Sequence, residues 1–130
     1  MRDLILPKKK ELHFDLLRLD AVDKMSIQDV TSELVDLLGA TLTAAIGDVT
    51  ETRLVRSWME KGTASRPDSL RTALKAARAI ADQDSAVVAK AWFTGTNRFL
   101  EHRSPLEVLR ENTAEGRTAI VRAAVSFAIG

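Results

Sequence analysis

Residues 65–80 read Ser65-Arg66-Pro67-Asp68-Ser69-Leu70-Arg71-Thr72-Ala73-Leu74-Lys75-Ala76-Ala77-Arg78-Ala79-Ile80, and this run predicts a helix. Ser65 to Asp68 form a capping arrangement with proline in the first turn, where the missing amide is one that has no intrahelical partner in any case. Leu70, Ala73, Leu74, Ala77 and Ile80 recur at i, i+3, i+4, i+7 and i+10, which puts them on one face. Arg71, Lys75 and Arg78 take another face. A strand would alternate with a period of two, so the spacing describes an amphipathic helix.

The same grammar extends in both directions. Ser26-Ile27-Gln28-Asp29 offers a hydroxyl and a carboxylate to the free amides of a first turn, Ile27, Val30, Leu34, Val35 and Leu38 mark a face, and Gly39 is a natural stop. A short apolar piece, Leu42 to Ile46, closes at Gly47-Asp48, and Thr50 to Lys61 follows before Gly62. Beyond Asp84, Val87, Val88, Ala91 and Trp92 predict a helix that ends in the turn Thr94-Gly95-Thr96-Asn97. Ser104-Pro105-Leu106-Glu107 combines cap, first-turn proline and reciprocal glutamate. Residues 114–128 carry Ile120, Val121, Ala124, Val125 and Ala128 on one stripe. In the first 25 residues Leu12, Leu16, Leu19 and Asp23 stand at helical spacing, with Phe14 and Leu17 off that line. This piece either packs on the core or forms an arm in a dimer. Aromatic residues make up only 5% and tyrosine is absent, which favours helix over strand throughout. The expected fold is all-α.

A chain of 130 residues suffices for one core, or for two small helical lobes that share one. With 45% apolar and 28% charged residues it has a globular composition, and no apolar run approaches the roughly 20 residues that span a bilayer. The short apolar start precedes Lys8-Lys9-Lys10, the wrong order for a secretory signal, so a cytoplasmic location is expected. The lysine run reads as a solvated face or as a phosphate contact. Absence of cysteine removes disulfides, thiolate catalysis and cysteine zinc sites. His13 and His102 have no evident nucleophile to serve, Asp20 and Asp23 lack a third ligand, and there is no glycine-rich phosphate loop. The expectation is a protein that is not an enzyme and needs no metal or cofactor.

The formal net charge is only +1, but residues 48–80 hold seven basic and four acidic side chains. Within that region two short helices joined at Gly47 match the helix-turn-helix pattern. The second would enter a major groove and present Thr50, Thr52, Arg53, Arg56 and Ser57, with Lys61 further along, while Leu54, Val55 and Trp58 face inward. The same arginines also fit the solvent face of an ordinary amphipathic helix. The piece resembles the unit of Xre-type repressors and departs from it at Gly47-Asp48-Val49, where the run to Trp58 is one residue longer. Operators are commonly bound across two half-sites, which implies a homodimer or larger assembly.

Residues 89–110 read Ala-Lys-Ala-Trp92-Phe93-Thr-Gly-Thr-Asn97-Arg98-Phe99-Leu100-Glu-His-Arg103-Ser104-Pro105-Leu106-Glu107-Val108-Leu109-Arg110. This order of a Trp-led helix end, an Asn turn, a Leu, Arg-Ser-Pro and a Leu-Arg helix resembles the toxin-binding domain of the Xre/MbcA/ParS antitoxins. Val108 stands where that family often has Leu. With the helix pair upstream, the resemblance covers residues 27–130. It implies a helix-turn-helix domain at 26–82 and a toxin-binding domain at 83–130, and residues 1–25 are expected to form an N-terminal helical arm ahead of them. It also implies a RES-domain toxin as partner, one that consumes NAD or uses it to modify proteins, with operator DNA as a second partner. Trp92, Asn97, Leu100, Arg103, Pro105, Leu109, Arg110, Arg117 and Arg122 are the toxin-binding residues it suggests. Each has a structural reading as well. Trp92, Phe93, Phe99, Leu100 and Leu109 fit a core, Asn97 fits a turn, and Ser104 with Pro105 starts a helix. Arg103 and Arg110 are less needed for folding and so fit ion pairs with a partner. The segment from Arg117 to Gly130 either blocks the toxin or closes the core. The expected function is that of an antitoxin that also represses its own operon. The alternative is a stand-alone regulator, of phage or prophage type, whose C-terminal part only dimerises.

Overall fold

Apart from one bridge between Asn97 and Arg103, every regular element of the computed structural model, which describes residues 16–130, is helical. In chain order these are α1 (Leu16–Ala21), a 3-10 turn (Val22–Lys24), α2 (Ile27–Leu38), α3 (Ala40–Ile46), α4 (Thr52–Lys61), α5 (Pro67–Gln83), α6 (Ala86–Thr94), a second 3-10 turn (Arg98–Leu100), α7 (Pro105–Glu111) and α8 (Ala114–Ile129). The lysine run at 8–10, Leu12, His13 and Phe14 lie outside the described residues. Among those described, no helix is long and apolar enough to cross a membrane.

The predicted helix of residues 65–80 is the axis of the fold. Leu70, Ala73, Leu74, Ala77 and Ile80 are all fully buried, as their spacing requires. Ser69, Ala76 and Ala79 are fully buried too, because α2 and α6 on one side and α8 on the other cover this helix around most of its circumference. Two details differ from the expectation. Ser65 caps nothing: the helix starts at Pro67 with Arg66 before it in a non-helical conformation, as a residue preceding proline prefers. Arg78 is not on an open face. It is 8% exposed, and its guanidinium donates to both carboxylate oxygens of Glu33 at 2.6 and 2.7 Å and to the Arg18 carbonyl at 2.6 Å.

The basic stripe of α5 is therefore a row of anchors for residues 18–25. Arg71 Nη1 donates to the carbonyls of Val22 (2.9 Å) and Met25 (2.6 Å), and Lys75 lies 2.9 Å from the Asp23 carboxylate. Arg18 pairs with Asp82 at 2.7 Å. Leu19 and Val22 enter the interior beside these contacts. Burying two apolar side chains and satisfying the carbonyls next to them are complementary needs, since an unpaired carbonyl there would cost about as much as a lost hydrogen bond.

Helix starts follow the capping expectations elsewhere. Ser26 Oγ accepts from the Asp29 amide at 3.1 Å, and Gly39 ends α2. Ser104 and Glu107 form a complete capping box, with bonds of 3.1 and 2.9 Å. The Ser104 amide and hydroxyl hold the Glu107 carboxyl below its ordinary value. In α6 the buried face is Ala89, Trp92 and Phe93 rather than the expected Val87, Val88, Ala91 and Trp92. Val87 is 79% exposed, because α2, α5 and α7 contact this helix from the Phe93 side. In α8, Ile120 and Ala124 are buried as expected and Ala123 joins them, while Val121, Val125 and Ala128 are half-buried. A single cluster of buried side chains runs from Val22 to Ala124.

Candidate functional site

The turn between α3 and α4 is built from its hydrogen bonds. The Val49 amide donates to the Ala44 carbonyl and the Asp48 amide to that of Ala45, both at 3.0 Å. This is the paired closure of a Schellman motif, which demands a left-handed residue at its pivot. That residue is Asp48, with φ 64°, where glycine is usual. The carboxylate offers what glycine lacks: it lies 3.1 Å from Arg66, just ahead of α5, and 3.1 Å from Arg110 in α7. One side chain thus ties the turn to two other parts of the fold. Asp48→Ala keeps the unfavourable dihedral and loses both pairs, whereas Asp48→Gly loses the pairs but relaxes the dihedral. Thermal melts are expected to rank glycine above alanine by about 1 kcal/mol.

Gly47, immediately before, is fixed by contact. A Cβ there would come within 2.3 Å of Trp58 Cη2. The indole lies against this backbone, 4% exposed, and Val55 beside it is 1% exposed. Leu54 is half-buried, so all three side chains face inward as the i, i+1, i+4 spacing predicts. The helix begins at Thr52, not Thr50, because the Schellman closure carries the chain through Val49 before it can turn. Glu51 stands as its cap, without a side-chain capping bond.

The opposite face of α4 is open. Thr52, Arg53, Arg56 and Lys61 are exposed, Ser57 is half-buried, and Thr50 is exposed in the turn ahead of the helix. Arg53 pairs with Glu51 at 3.1 Å, but both side chains are more than half exposed. Such a pair is worth little in water and can be exchanged for a phosphate. Arg56 and Lys61 have no polar partner among the described residues.

The other candidate set is mostly interior. Trp92, Leu100, Pro105 and Leu109 are buried. Trp92 meets Phe93 edge to face with ring centres 5.2 Å apart, and its indole N–H finds no acceptor among the described residues. Asn97 is spent on its own turn: its Oδ1 accepts from the Phe99 backbone amide at 2.9 Å, and its backbone N–H donates to the Arg103 carbonyl at 3.1 Å. Phe99, read as core, is instead 64% exposed. The Asn97-capped turn directs Leu100 inward and Phe99 out, with the Arg98 guanidinium 5.9 Å from its ring centre.

Of the arginines, Arg103 pairs with Glu111, Arg110 with Asp48, and Arg117 Nη1 donates to the Asn112 carbonyl and Oδ1 at 3.0 and 2.6 Å. Arg122 is exposed with no polar partner among the described residues. Sequence reasoning missed Asn112, whose left-handed backbone (φ 57°) ends α7 and whose Oδ1 also accepts from Ser69 at 3.0 Å. The signal was a turn-prone Asn followed at once by the next helix cap, Thr113.

No match was found for this chain among known protein families, curated proteins or solved structures.

Proposed function

We propose that this protein is an antitoxin of a type II toxin–antitoxin system, which neutralises a RES-domain, NAD-consuming toxin by direct binding and represses its own operon through α4. The reading is carried by residues 89–110, where the order of Trp, Asn, Leu, Arg-Ser-Pro and Leu-Arg follows the pattern of the Xre/MbcA/ParS antitoxins. It is supported by a helix pair locked at Gly47 and Trp58 that turns Thr52, Arg53 and Arg56 to solvent. A helix presenting short polar residues and arginines from its first turns fits a major groove, with the cations on phosphates or guanine edges. A homodimer would supply the second half-site.

A second reading, a stand-alone regulator, is favoured by one observation: Arg103 and Arg110 are paired with carboxylates of the same chain and Arg117 is held by Asn112, so among the described residues Arg122 alone of these four arginines has no polar partner.

Two measurements separate the readings. Co-expression with a RES-domain protein encoded beside this chain is expected to abolish its toxicity and to yield a co-purifying complex; absence of both removes the antitoxin claim and leaves the regulator. In gel shifts on the chain's own promoter, Arg53→Ala with Arg56→Ala is expected to weaken binding and to lower the salt slope by about two, one for each lost phosphate contact. An unchanged slope removes α4 as the DNA-reading helix in either reading.

A further inference from the structure

Where α5 faces α8, a cleft of about 550 Å3 opens beside the 3-10 turn at Val22–Lys24. Four cations line it: Arg71 and Lys75 from α5, Arg117 and Arg122 from α8. Two carboxylates stand against them, Asp23 and Asp68, of which Asp23 is engaged with Lys75 at 2.9 Å. The lining therefore carries a surplus of two positive charges.

How the arginines are held decides what the surplus can do. Arg71 is fixed through Nη1 alone, by the carbonyls of Val22 and Met25. Arg117 is likewise fixed through Nη1 alone, by the carbonyl and Oδ1 of Asn112. Those acceptors are neutral, so neither guanidinium is in an ion pair among the described residues. In each case the Nε and Nη2 groups, the edge that grips two oxygens of an oxyanion at once, are without partners among the described residues. Arg122 has no polar partner at all among them, and the hydroxyls of Thr72 and Thr118, which also line the cleft, make no hydrogen bond within the described chain. Anchored cations with a free bidentate edge, together with free hydroxyl donors, are the donor set of a phosphate site. An ordinary solvated face lacks such pre-orientation, because its arginines are not fixed at one nitrogen.

We propose that this cleft binds a phosphate group, whether free or carried by a nucleotide. The site is distinct from the exposed face of α4 and uses none of residues 89–110, which carry the antitoxin reading.

The test is an NMR titration of the full chain, separately with inorganic phosphate and with AMP, at constant ionic strength kept with sodium chloride. Saturable shifts at the amides of residues 71–75 and 117–122 and at the arginine Nε signals are expected. Arg122→Gln, at an exposed position without internal bonds, should fold normally and weaken binding about tenfold, the loss of one charge-assisted hydrogen bond. Arg122→Lys should retain most of the affinity. Tighter binding of AMP assigns the site to a nucleotide, and equal binding assigns it to a free phosphate; both support the proposal. Shifts that stay linear in concentration or scatter over the surface would overturn it. So would equal affinity of Arg122→Gln, or a response of these residues to duplex DNA alone.

Discussion

Arg78→Met is expected to destabilise the protein by roughly 3 kcal/mol, the usual loss when one partner of a desolvated ion pair is removed. The side chain of Arg78 is 10% exposed and that of Glu33 is 29% exposed. The guanidinium holds both carboxylate oxygens and also satisfies the Arg18 carbonyl, so methionine would strand a carboxylate and a carbonyl together. The double variant Glu33→Leu, Arg78→Met removes the charges as a pair and should recover most of the loss, because apolar replacements of matched volume avoid the desolvation cost. Urea denaturation of the two single variants and the double gives the coupling directly. Amide exchange at residues 18–25 should rise in Arg78→Met before global unfolding, since this segment hangs on the same guanidinium. A single variant within about 0.5 kcal/mol of the parent, the ordinary scatter of surface substitutions, would show that the pair contributes nothing.

The same pair sets a pH dependence. Its hydrogen bonds from Arg78 hold the Glu33 carboxyl below its ordinary value, against the opposing effect of burial. A group whose folded value is depressed contributes stability that is fully present above its unfolded value, about 4.3 for glutamate, and is lost as pH falls through the folded value. Arg78, raised by the same contact, keeps its proton throughout that window. Acid unfolding followed by circular dichroism should therefore be less steep below pH about 4 in Glu33→Gln than in the parent. Equal profiles would place the acid sensitivity elsewhere.

Arg78 also marks where the sequence stops being legible. Periodicity identifies α5 and its main apolar face, since Leu70, Ala73, Leu74, Ala77 and Ile80 need only a helix and one covering layer. It cannot say that α1 and the 3-10 turn after it pack on α5 in addition to α2, α6 and α8, and with that further face covered a basic stripe becomes a set of internal anchors. Capping chemistry is local, so Ser26 and the Ser104–Glu107 box read directly, whereas Ser65 failed because the residue before a proline resists the helical conformation. The candidate α4 face was legible in its inward residues but not in its first turn: the left-handed pivot fell on Asp48, a residue held there by Arg66 and Arg110 from distant sequence. For residues 92–110 the turn chemistry was legible, and the orientation of Phe99 was not, because a 3-10 turn shifts side-chain direction within a single residue. The cleft between α5 and α8 had no sequence signal at all; it brings together Arg71 and Lys75 with Arg117 and Arg122, two pairs of cations from distant parts of the sequence.

Gly47→Ala is expected to cost roughly 2–3 kcal/mol, a steric loss of the size of overpacking a core. The backbone at Gly47 has φ −79° and ψ 6°, which alanine adopts readily, so no dihedral strain enters. The methyl alone decides the outcome: its position lies 2.3 Å from Cη2 and 2.7 Å from Cζ3 of a Trp58 ring that is itself enclosed. Either the ring leaves its place in the core or α3 and α4 separate. Shrinking the ring should then rescue the variant. Gly47→Ala with Trp58→Leu is expected to be less destabilised than the sum of the single changes, because each substitution relieves the conflict created or left by the other. Under the proposed reading of α4 there is a second readout: gel shifts at a temperature where Gly47→Ala is still folded should show weakened promoter binding, since the contact sets the angle at which Arg53 and Arg56 are presented. Stability equal to the parent would mean that the indole can slide without cost. Full promoter binding by a destabilised variant would mean that the seat of Trp58 on Gly47 stabilises the helix pair without aiming it.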